Sequence, residues 1–253
     1  MGERDDWDSH WRDYAGAANQ NPAQRMRQAI VAKLIRRDRA GPRAQILDLG
    51  SGQGDLLAKL CGLLPEAALV GVELSESGVA ISRKKVPTAA FIVADLFAPP
   101  AALAAYRGWA TVAVCSEVLE HLDSAAAFLR FVQPYLAENA QLIVTVPGGP
   151  MSAFDRSIGH RQHFDRRSIR RVLEDGGFIV DRIYLAGFPF FNLYRWIVIA
   201  RGEKLAKDVA AGRHGGMSRL AGAVMALFRP IFWGNLSDSP WGWQVVAVAR
   251  KRV

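Results

Sequence analysis

The chain contains few residues of the kinds that build covalent or metal-bound scaffolds. It has only two cysteines in 253 residues, Cys61 and Cys115, and they form no CxxC pair. This scarcity disfavours a disulfide framework and a cysteine-ligated zinc site, and it agrees with a reducing compartment. No apolar run reaches the roughly 20 residues of a membrane span, and the acidic start MGERDDW is unlike a secretory signal. We therefore predict a cytoplasmic protein that is not integral to a membrane.

Disorder is also disfavoured, because half of the residues are hydrophobic and 22% are charged. The formal net charge is +8. Such a surplus favours an anionic neighbour, which can be a membrane surface, a phosphorylated substrate or nucleic acid. Composition thus predicts a folded, basic protein without selecting its partner.

Short aliphatic runs alternate with helical patterns through most of the chain. Asn21-Pro22 is a typical helix start, and the runs AQILDL, ALVGVEL, AFIVADL, TVAVCSE and QLIVTVP follow with helical stretches between them, including one around AAAFLRFVQPYL. After Pro147 we expect a loop, 148–168, that leads into a further helix. This alternation predicts a doubly wound α/β fold with a parallel sheet covered on both faces. We expect one domain, residues 1–253, in four parts: an N-terminal helical cap (1–41), a cofactor-binding core (44–186), a helical insertion (187–242) and a closing strand (243–251).

Three alternating glycines, Gly50, Gly52 and Gly54, follow the first predicted strand in the stretch LDLGSGQGD. Glycines at a strand-to-helix junction let the backbone approach a ligand, and the helix that follows offers unpaired N–H groups. A dinucleotide fingerprint would place its third glycine at the position of Asp55. The loop therefore predicts a polar or anionic ligand other than NAD.

Acidic residues end the next two predicted strands. Glu73 lies about 20 residues beyond the glycine loop, the spacing at which a carboxylate can accept hydrogen bonds from ribose hydroxyls. Asp95 and Leu96 end the third strand, where a carboxylate and an apolar side chain suit an adenine. The three strand ends together predict an adenosine-like ligand.

The motifs LDLGSGQGD, VGVELS, VADLF and CSEVLEHLD resemble, in order and spacing, those of class I S-adenosylmethionine-dependent methyltransferases, especially the branch of ubiquinone and menaquinone biosynthesis. The resemblance covers residues 44–185 and implies a Rossmann-like seven-stranded sheet of order 3-2-1-4-5-7-6 with strand 7 antiparallel. It implies S-adenosylmethionine as cofactor. The implied binding residues are Asp48, Gly50, Ser51, Gly52 and Gly54 for the methionine end, Glu73 and Leu74 for the ribose, Asp95 and Leu96 for the adenine, and Ser116 and Glu117 closing the site.

Three histidines are candidates for the chemistry: His121, and His160 and His163 in the stretch IGHRQHFD. Methyl transfer to a hydroxyl benefits from a general base, and histidine is the usual choice. His-x-x-His is only half of a metal-ligand set, so we predict no metal. The alternatives that remain for IGHRQHFD are a base or anion contact on the acceptor side and a purely structural loop.

The predicted insertion, 187–242, is aromatic and apolar and carries seven basic against three acidic residues. It can form helices that pack on the sheet, a surface for an anionic membrane or lipid-like acceptor, or a homodimer interface. Near the other end of the chain, the aromatic residues Trp7, Trp11 and Tyr14 suggest a lid over the cofactor.

We predict a methyltransferase that acts on oxygen, or alternatively on carbon or nitrogen, of a hydrophobic small molecule or a lipid-linked acceptor. The alternatives are an RNA or protein methyltransferase and a non-catalytic scaffold that binds the cofactor. Nucleic acid is disfavoured as partner, because the chain has neither an added RNA-binding module nor an Asn-Pro-Pro-Tyr-type motif.

Overall fold

The computed structural model describes residues 7, 8, 11, 21–37, 43–98, 101–202, 228 and 230–252. Seven strands lie in one sheet of order β3-β2-β1-β4-β5-β7-β6. They are β1 Gln45–Leu49, β2 Ala68–Glu73, β3 Ala90–Val93, β4 Ala110–Ser116, β5 Leu136–Pro147, β6 Phe178–Ala186 and β7 Gln244–Lys251. β7 is antiparallel to both β5 and β6, and the pairs among β1 to β5 are parallel. The predicted fold and strand order are confirmed.

Seven α-helices accompany the sheet in the described part of the chain. They are α1 Pro22–Arg37, α2 Asp55–Leu63, α3 Glu76–Lys85, α4 Ala125–Val132, α5 Ala153–Ser157, α6 Arg166–Asp175 and α7 Phe190–Ala200. Short 3-10 turns cover Ala101–Tyr106, Leu119–His121, Gln133–Tyr135 and Phe232–Gly234. Among the residues described, no helix is both long and apolar enough to cross a membrane.

The sheet is buried on both faces because its strands are apolar at successive positions. In β1, Leu47 and Leu49 belong to one apolar cluster and Ile46 to the cluster on the other face. β7 shows the same alternation, with Val246 on the Ile46 side and Ala247 on the opposite side. Side chains of a strand point alternately to the two faces, so a continuous apolar run supports two layers of helices.

Two predictions from the sequence are wrong: where the helix after β4 ends, and that the segment after β5 is a loop. We expected the helix after β4 to include Tyr135, but it ends at Val132 and β5 already begins at Leu136. Pro134 lies at the start of the 3-10 turn between them, and a proline lacks the N–H that would continue the α-helix. The segment after β5, expected as loop, contains α5, whose start is closed by a capping box between Ser152 and Asp155.

An ion pair connects α5 to α7. The guanidinium of Arg195 donates to both carboxylate oxygens of Asp155, at 2.9 and 2.8 Å. The Asp155 side chain is only 1% exposed and that of Arg195 12%. The Arg195 guanidinium and the hydrogen bonds from Ser152 hold the pKa of Asp155 well below its usual range, despite burial. The first helix of the predicted insertion is thereby fixed to the segment that follows β5.

We expect Arg195→Ala to lower the free energy of unfolding by about 3 kcal/mol, because it leaves the buried Asp155 carboxylate without its cation. Urea denaturation measures the change. The matched control is Arg170→Ala, which breaks an i,i+4 pair with Glu174 whose side chains are both 49% exposed, and which we expect to cost less than about 0.5 kcal/mol. Equal losses in the two variants would contradict the assignment.

Candidate active site

The glycine loop connects β1 to α2 at the carboxyl edge of the parallel strands. Gly50, Gly52 and Gly54 all have positive φ, of 72°, 53° and 77°. A Cβ on Gly50 would lie 2.5 Å from Val118 Cγ2, and one on Gly52 would lie 2.4 Å from Trp11 Cζ2. Both positions thus require glycine for conformation and for space.

Glu73, at the end of β2, holds this loop in place. Its side chain accepts hydrogen bonds from the amide of Gly52 at 2.8 Å and from the amide of Ser75 at 3.0 Å. Glu73 is 6% exposed. Burial raises its pKa, whereas the amide hydrogen bonds lower it. The carboxylate is therefore positioned between the loop and the start of α3, with lone pairs left over for a ligand.

Asp48 lies on β1 directly before the loop and is 3% exposed. Burial, and then the nearby negative charge of Glu73, raises the pKa of Asp48 to about 7. Two buried carboxylates thus repel one another at the edge of the sheet where the resemblance places the cofactor. A cationic ligand would relieve their repulsion.

The remaining predicted cofactor residues are also at the carboxyl edge. β3 ends at Val93, and Asp95 Oδ1 then accepts the amide of Phe97 at 2.9 Å. Leu96 is buried in the apolar core and Leu74 is 43% exposed. Ser116 shares a 2.7 Å hydrogen bond with Thr145 Oγ1.

Glu117 follows β4 with a φ of 57°, which is rare for a residue other than glycine. Its Oε1 accepts from Thr145 Oγ1 at 3.2 Å and from Gln244 Nε2 at 3.0 Å. Its Oε2 lies 3.5 Å from Arg27 Nη1 on α1. Strands β5 and β7 and helix α1 therefore fix one carboxylate in an unusual backbone conformation.

Three described N-terminal residues contact these elements. Asp8 accepts hydrogen bonds from Ser75 Oγ at 2.6 Å and from the amide of Ser77 at 3.0 Å. The Trp11 ring contacts the glycine loop at Gly52, and the Trp7 ring lies edge-on to His121, with centroids 4.8 Å apart. Tyr14, the third predicted aromatic, lies outside the described residues.

The three predicted histidines form one cluster. The His121 and His160 ring centroids are 4.8 Å apart, and His160 Nδ1 lies 3.3 Å from His163 Nε2. His163 Nδ1 lies 3.0 Å from the carbonyl oxygen of Gly149. A carbonyl only accepts, so His163 Nδ1 carries the proton and its Nε2 accepts from His160 Nδ1. When both rings are neutral, the lone pair of His160 is on Nε2.

Burial lowers the pKa of His160 to about 4 and also lowers the pKa of His163. Both imidazoles are therefore neutral at pH 7. Beside them, Glu120 is fully buried, and burial together with the charge of Glu117 raises its pKa well above the usual range. The histidine cluster thus adjoins a pair of carboxylates, Glu117 and Glu120, at the end of β4.

A family model described as "Methyltransferase domain" matches residues 19–183. The chain belongs to this family. With its glycine loop and acidic strand ends, it is an S-adenosylmethionine-dependent methyltransferase. No curated protein matches it in sequence.

Several solved structures share the fold of the methyltransferase at low identity. Phosphoethanolamine N-methyltransferase 2 of Haemonchus contortus, in complex with S-adenosyl-L-methionine, is 15% identical with a TM-score of 0.57; the match covers 89% of this chain and 52% of that one. Geranyl diphosphate C-methyltransferase of Streptomyces coelicolor, with S-adenosyl-L-homocysteine, is 14% identical, with a TM-score of 0.57 and coverage of 88% and 76%. The [4+2]-cyclase SpnF is 18% identical, with a TM-score of 0.56 and coverage of 83% and 75%.

The site also includes Arg27, Thr145 and Gln244, which belong to none of the sequence motifs. All three contact Glu117 or its hydrogen-bond partners from elements far apart in the chain. The sequence contains one clue to Thr145 and Gln244, since each is a polar residue in an otherwise apolar strand. Both are fully buried, and buried polar side chains have hydrogen-bond partners as a rule.

We expect the stability of the methyltransferase without cofactor to depend on Asp48 between about pH 4 and pH 7. In that window the native state binds a proton that the unfolded chain releases, so the contribution of Asp48 falls as the pH rises, by about 1.4 kcal/mol per pH unit. Asp48→Asn removes this dependence. Urea denaturation of both proteins across the window measures it; a constant difference between them would contradict the raised pKa of Asp48.

Proposed function

We propose that the methyltransferase transfers its methyl group to an oxygen atom of a hydrophobic small molecule or lipid-linked acceptor. The observation that carries this proposal is the histidine cluster beside Glu117, at the same sheet edge as the glycine loop. We also propose that the protein is cytoplasmic, as its sequence predicts.

The cofactor would lie along the carboxyl edge of the strands. The glycine loop and Asp48 would hold the methionine end, Glu73 with Leu74 the ribose, and Asp95 with Leu96 the adenine. Ser116 and Glu117 would close the site. The fixed, buried carboxylate of Glu73 supports the ribose assignment, because its free lone pairs suit two hydroxyl donors. Trp11, in contact with Gly52, would cover the methionine end as a lid.

The transfer itself is a simple displacement. S-adenosylmethionine, when bound, would supply a methyl group activated on a sulfonium: its bond to sulfur would break with the electron pair left on sulfur, as a bond from the acceptor oxygen to the methyl carbon formed. The acceptor hydroxyl would pass its proton to a neutral imidazole of the histidine cluster, and from there to solvent. Because the methyl group is already activated, holding the oxygen in line accounts for much of the rate. His121 and His160 would position and polarise that oxygen, and His163 would hold the ring of His160 in its orientation.

An apolar cluster beside the site supports a hydrophobic acceptor. Its buried members are Ala23, Phe191, Phe228 and Phe232, with Met26, Phe190, Tyr194, Ile197 and Trp243 packed against them. Two ion pairs connect the helices of this cluster to the polar site: Arg27 of α1 with Glu117, and Arg195 of α7 with Asp155. Trp243 also contacts Gly149, whose carbonyl binds His163.

Incubation of the protein and S-adenosylmethionine carrying a labelled methyl group with cell extract tests this function. We expect the label in the organic-solvent extract, because the apolar cluster suits an acceptor of low polarity. Label in RNA or in protein would instead support the alternative methyltransferases. Label in no fraction, with the cofactor bound, would support a non-catalytic scaffold.

Two variants control for the cofactor in this assay. Glu73→Gln keeps the size of the side chain but removes the charge that faces the ribose, and Trp11→Ala removes the ring over Gly52. We expect calorimetry to show roughly tenfold weaker S-adenosylmethionine binding for each. Glu66→Gln changes a charge on the exposed turn before β2 and should leave binding unchanged.

We further propose that the face around α7 and the segment before β7 rests on an anionic lipid surface. Trp196, Trp233 and Trp241 are 53%, 83% and 64% exposed, and Leu193 and Leu236 are half exposed. Phe190 of α7 hydrogen-bonds Asn235, and Asn192 bonds the carbonyl of Trp241, so these residues belong to one unit. Indole rings favour the boundary between headgroups and acyl chains, and the net charge of +8 suits anionic lipid.

We expect the protein to sediment with vesicles that contain phosphatidylserine, and much less with vesicles of phosphatidylcholine alone. The double variant Trp233→Ser, Trp241→Ser should lose most of this binding, because it removes two exposed rings. Trp109→Phe, far in sequence from this face and packed against Tyr106, is the matched control. Vesicle binding that is unchanged in the double variant would contradict the proposal that this face binds lipid. If the double variant instead loses a dimer that the parent protein forms, the face is a homodimer interface.

A further inference from the structure

Glu120 has a buried carboxylate for which the described protein supplies no hydrogen-bond donor. The residue is 0% exposed, and neither Oε1 nor Oε2 has a hydrogen-bond partner among the described residues. Its neighbour Glu117, by contrast, accepts from Thr145 and Gln244 and faces Arg27. A buried carboxylate without donors costs several kcal/mol unless a proton or a cation neutralises it.

Two histidines lie where they can share such a cation. One ligand atom each of Glu120, His121 and His160 lies within 4.8 Å of the other two. Ligand atoms around a single ion at about 2.1 Å are about 3 to 4 Å apart. Small side-chain rotations therefore bring all three atoms into one coordination sphere.

The hydrogen bonds of His160 prepare it as a ligand. Its Nδ1 donates to His163 Nε2, and His163 is itself held by the carbonyl of Gly149. This chain leaves a lone pair on His160 Nε2 and fixes the orientation of the ring. Histidine ligands of metals almost always have such an outer partner for the second nitrogen.

We propose that Glu120, His121 and His160 bind one divalent transition-metal ion, of the Zn²⁺ or Mn²⁺ class. Two imidazoles and one carboxylate are the ligands of many zinc and non-haem metal sites, and they leave coordination positions open. Mg²⁺ suits this set less, because it prefers oxygen ligands throughout.

A second group, Asp155, His160 and His163, overlaps with the first. We assign the ion to the Glu120 group because both oxygens of Asp155 already bind the Arg195 guanidinium, and Ser152 donates to one of them as well. That guanidinium would also repel a cation placed next to Asp155. Glu120 has no such competitor within hydrogen-bonding distance among the described residues.

The assignment departs from the expectation of no metal drawn from the sequence. That expectation rested on the His-x-x-His spacing of His160 and His163 and on the lack of a cysteine cluster or a further histidine beside them in the sequence. The fold supplies two ligands from the turn after β4 and one from the segment after β5. The backbone amide of Arg161 donates to the carbonyl oxygen of Glu120 at 2.8 Å, which holds the two segments together.

The ion would lie beside Glu117 at the acceptor side of the site. With the ion bound, His121 and His160 would act on the acceptor through it, because the ion would take the acceptor oxygen as a ligand and lower the pKa of its hydroxyl. This role rests on the proposed function, whereas metal binding itself does not.

Calorimetric titration of the chelator-treated full chain with Zn²⁺ and with Mn²⁺ tests the site. We expect one ion per chain, and a visible ligand-field absorption when Co²⁺ is used as the probe. Glu120→Gln and His160→Ala should weaken binding at least about 100-fold, because each removes a ligand. Glu174→Gln, an exposed glutamate of α6, should bind as the parent does. Absence of stoichiometric binding, or binding unchanged in Glu120→Gln, would overturn the proposal.

Two further measurements separate the alternatives. His121→Ala should abolish the Co²⁺ absorption, whereas His163→Asn should keep it at roughly tenfold weaker affinity, because His163 only orients a ligand; the reverse result would overturn the assignment in favour of the Asp155 group. S-adenosylmethionine binding, measured on every variant, reports folding without involving the metal. Failure of cofactor binding in the parent protein would refute the proposed function while leaving the metal result intact.

Discussion

The hydrogen bond from the Gly52 amide to the Glu73 carboxylate is the contact on which the arrangement of the glycine loop and the adjoining strand ends depends. It joins the loop after β1 to the end of β2, and the second oxygen of Glu73 fixes the start of α3 through Ser75. Parallel strands end at the same edge, so a single buried carboxylate can orient two neighbouring connections at once. The Trp11 ring contacts the same loop at Gly52.

The acceptor side is constructed differently. Its polar side chains come from β4, β5, β7 and the segment after β5, and helices outside the sheet hold them with charged contacts. Arg27 reaches Glu117 from α1, and Arg195 reaches Asp155 from α7. Both helices also contribute to the apolar cluster beside the site. The residues that fix these polar groups thus lie on the same helices as the apolar cluster, so the histidine side of the site depends on parts of the fold outside the sheet.

Much of the arrangement at the carboxyl edge of the parallel strands could be predicted from the sequence. The glycines, Asp48 and Glu73 are local signals, since each lies at the end of an apolar run whose period identifies a strand. The strand order followed from the resemblance of four motifs. The short α5 was missed because its cap, Ser152 with Asp155, occurs within a segment rich in glycine and polar residues. The early start of β5 was missed because Leu136 and Ala137 continue the apolar pattern of the preceding helix beyond Pro134.

The sequence alone determined the fold class and the identity of the strand ends, because hydrophobic period and turn residues act over a few neighbouring positions. Only the tertiary structure brought Glu120 and His121 next to His160, about 40 positions further along the chain, and paired Arg195 with Asp155. The charge state of a side chain depends on its burial and on the groups around it, and neither is encoded locally. For that reason the sequence shows IGHRQHFD only as a polar stretch with two histidines. In the folded protein those histidines are neutral, and His160 lies beside the buried carboxylate of Glu120.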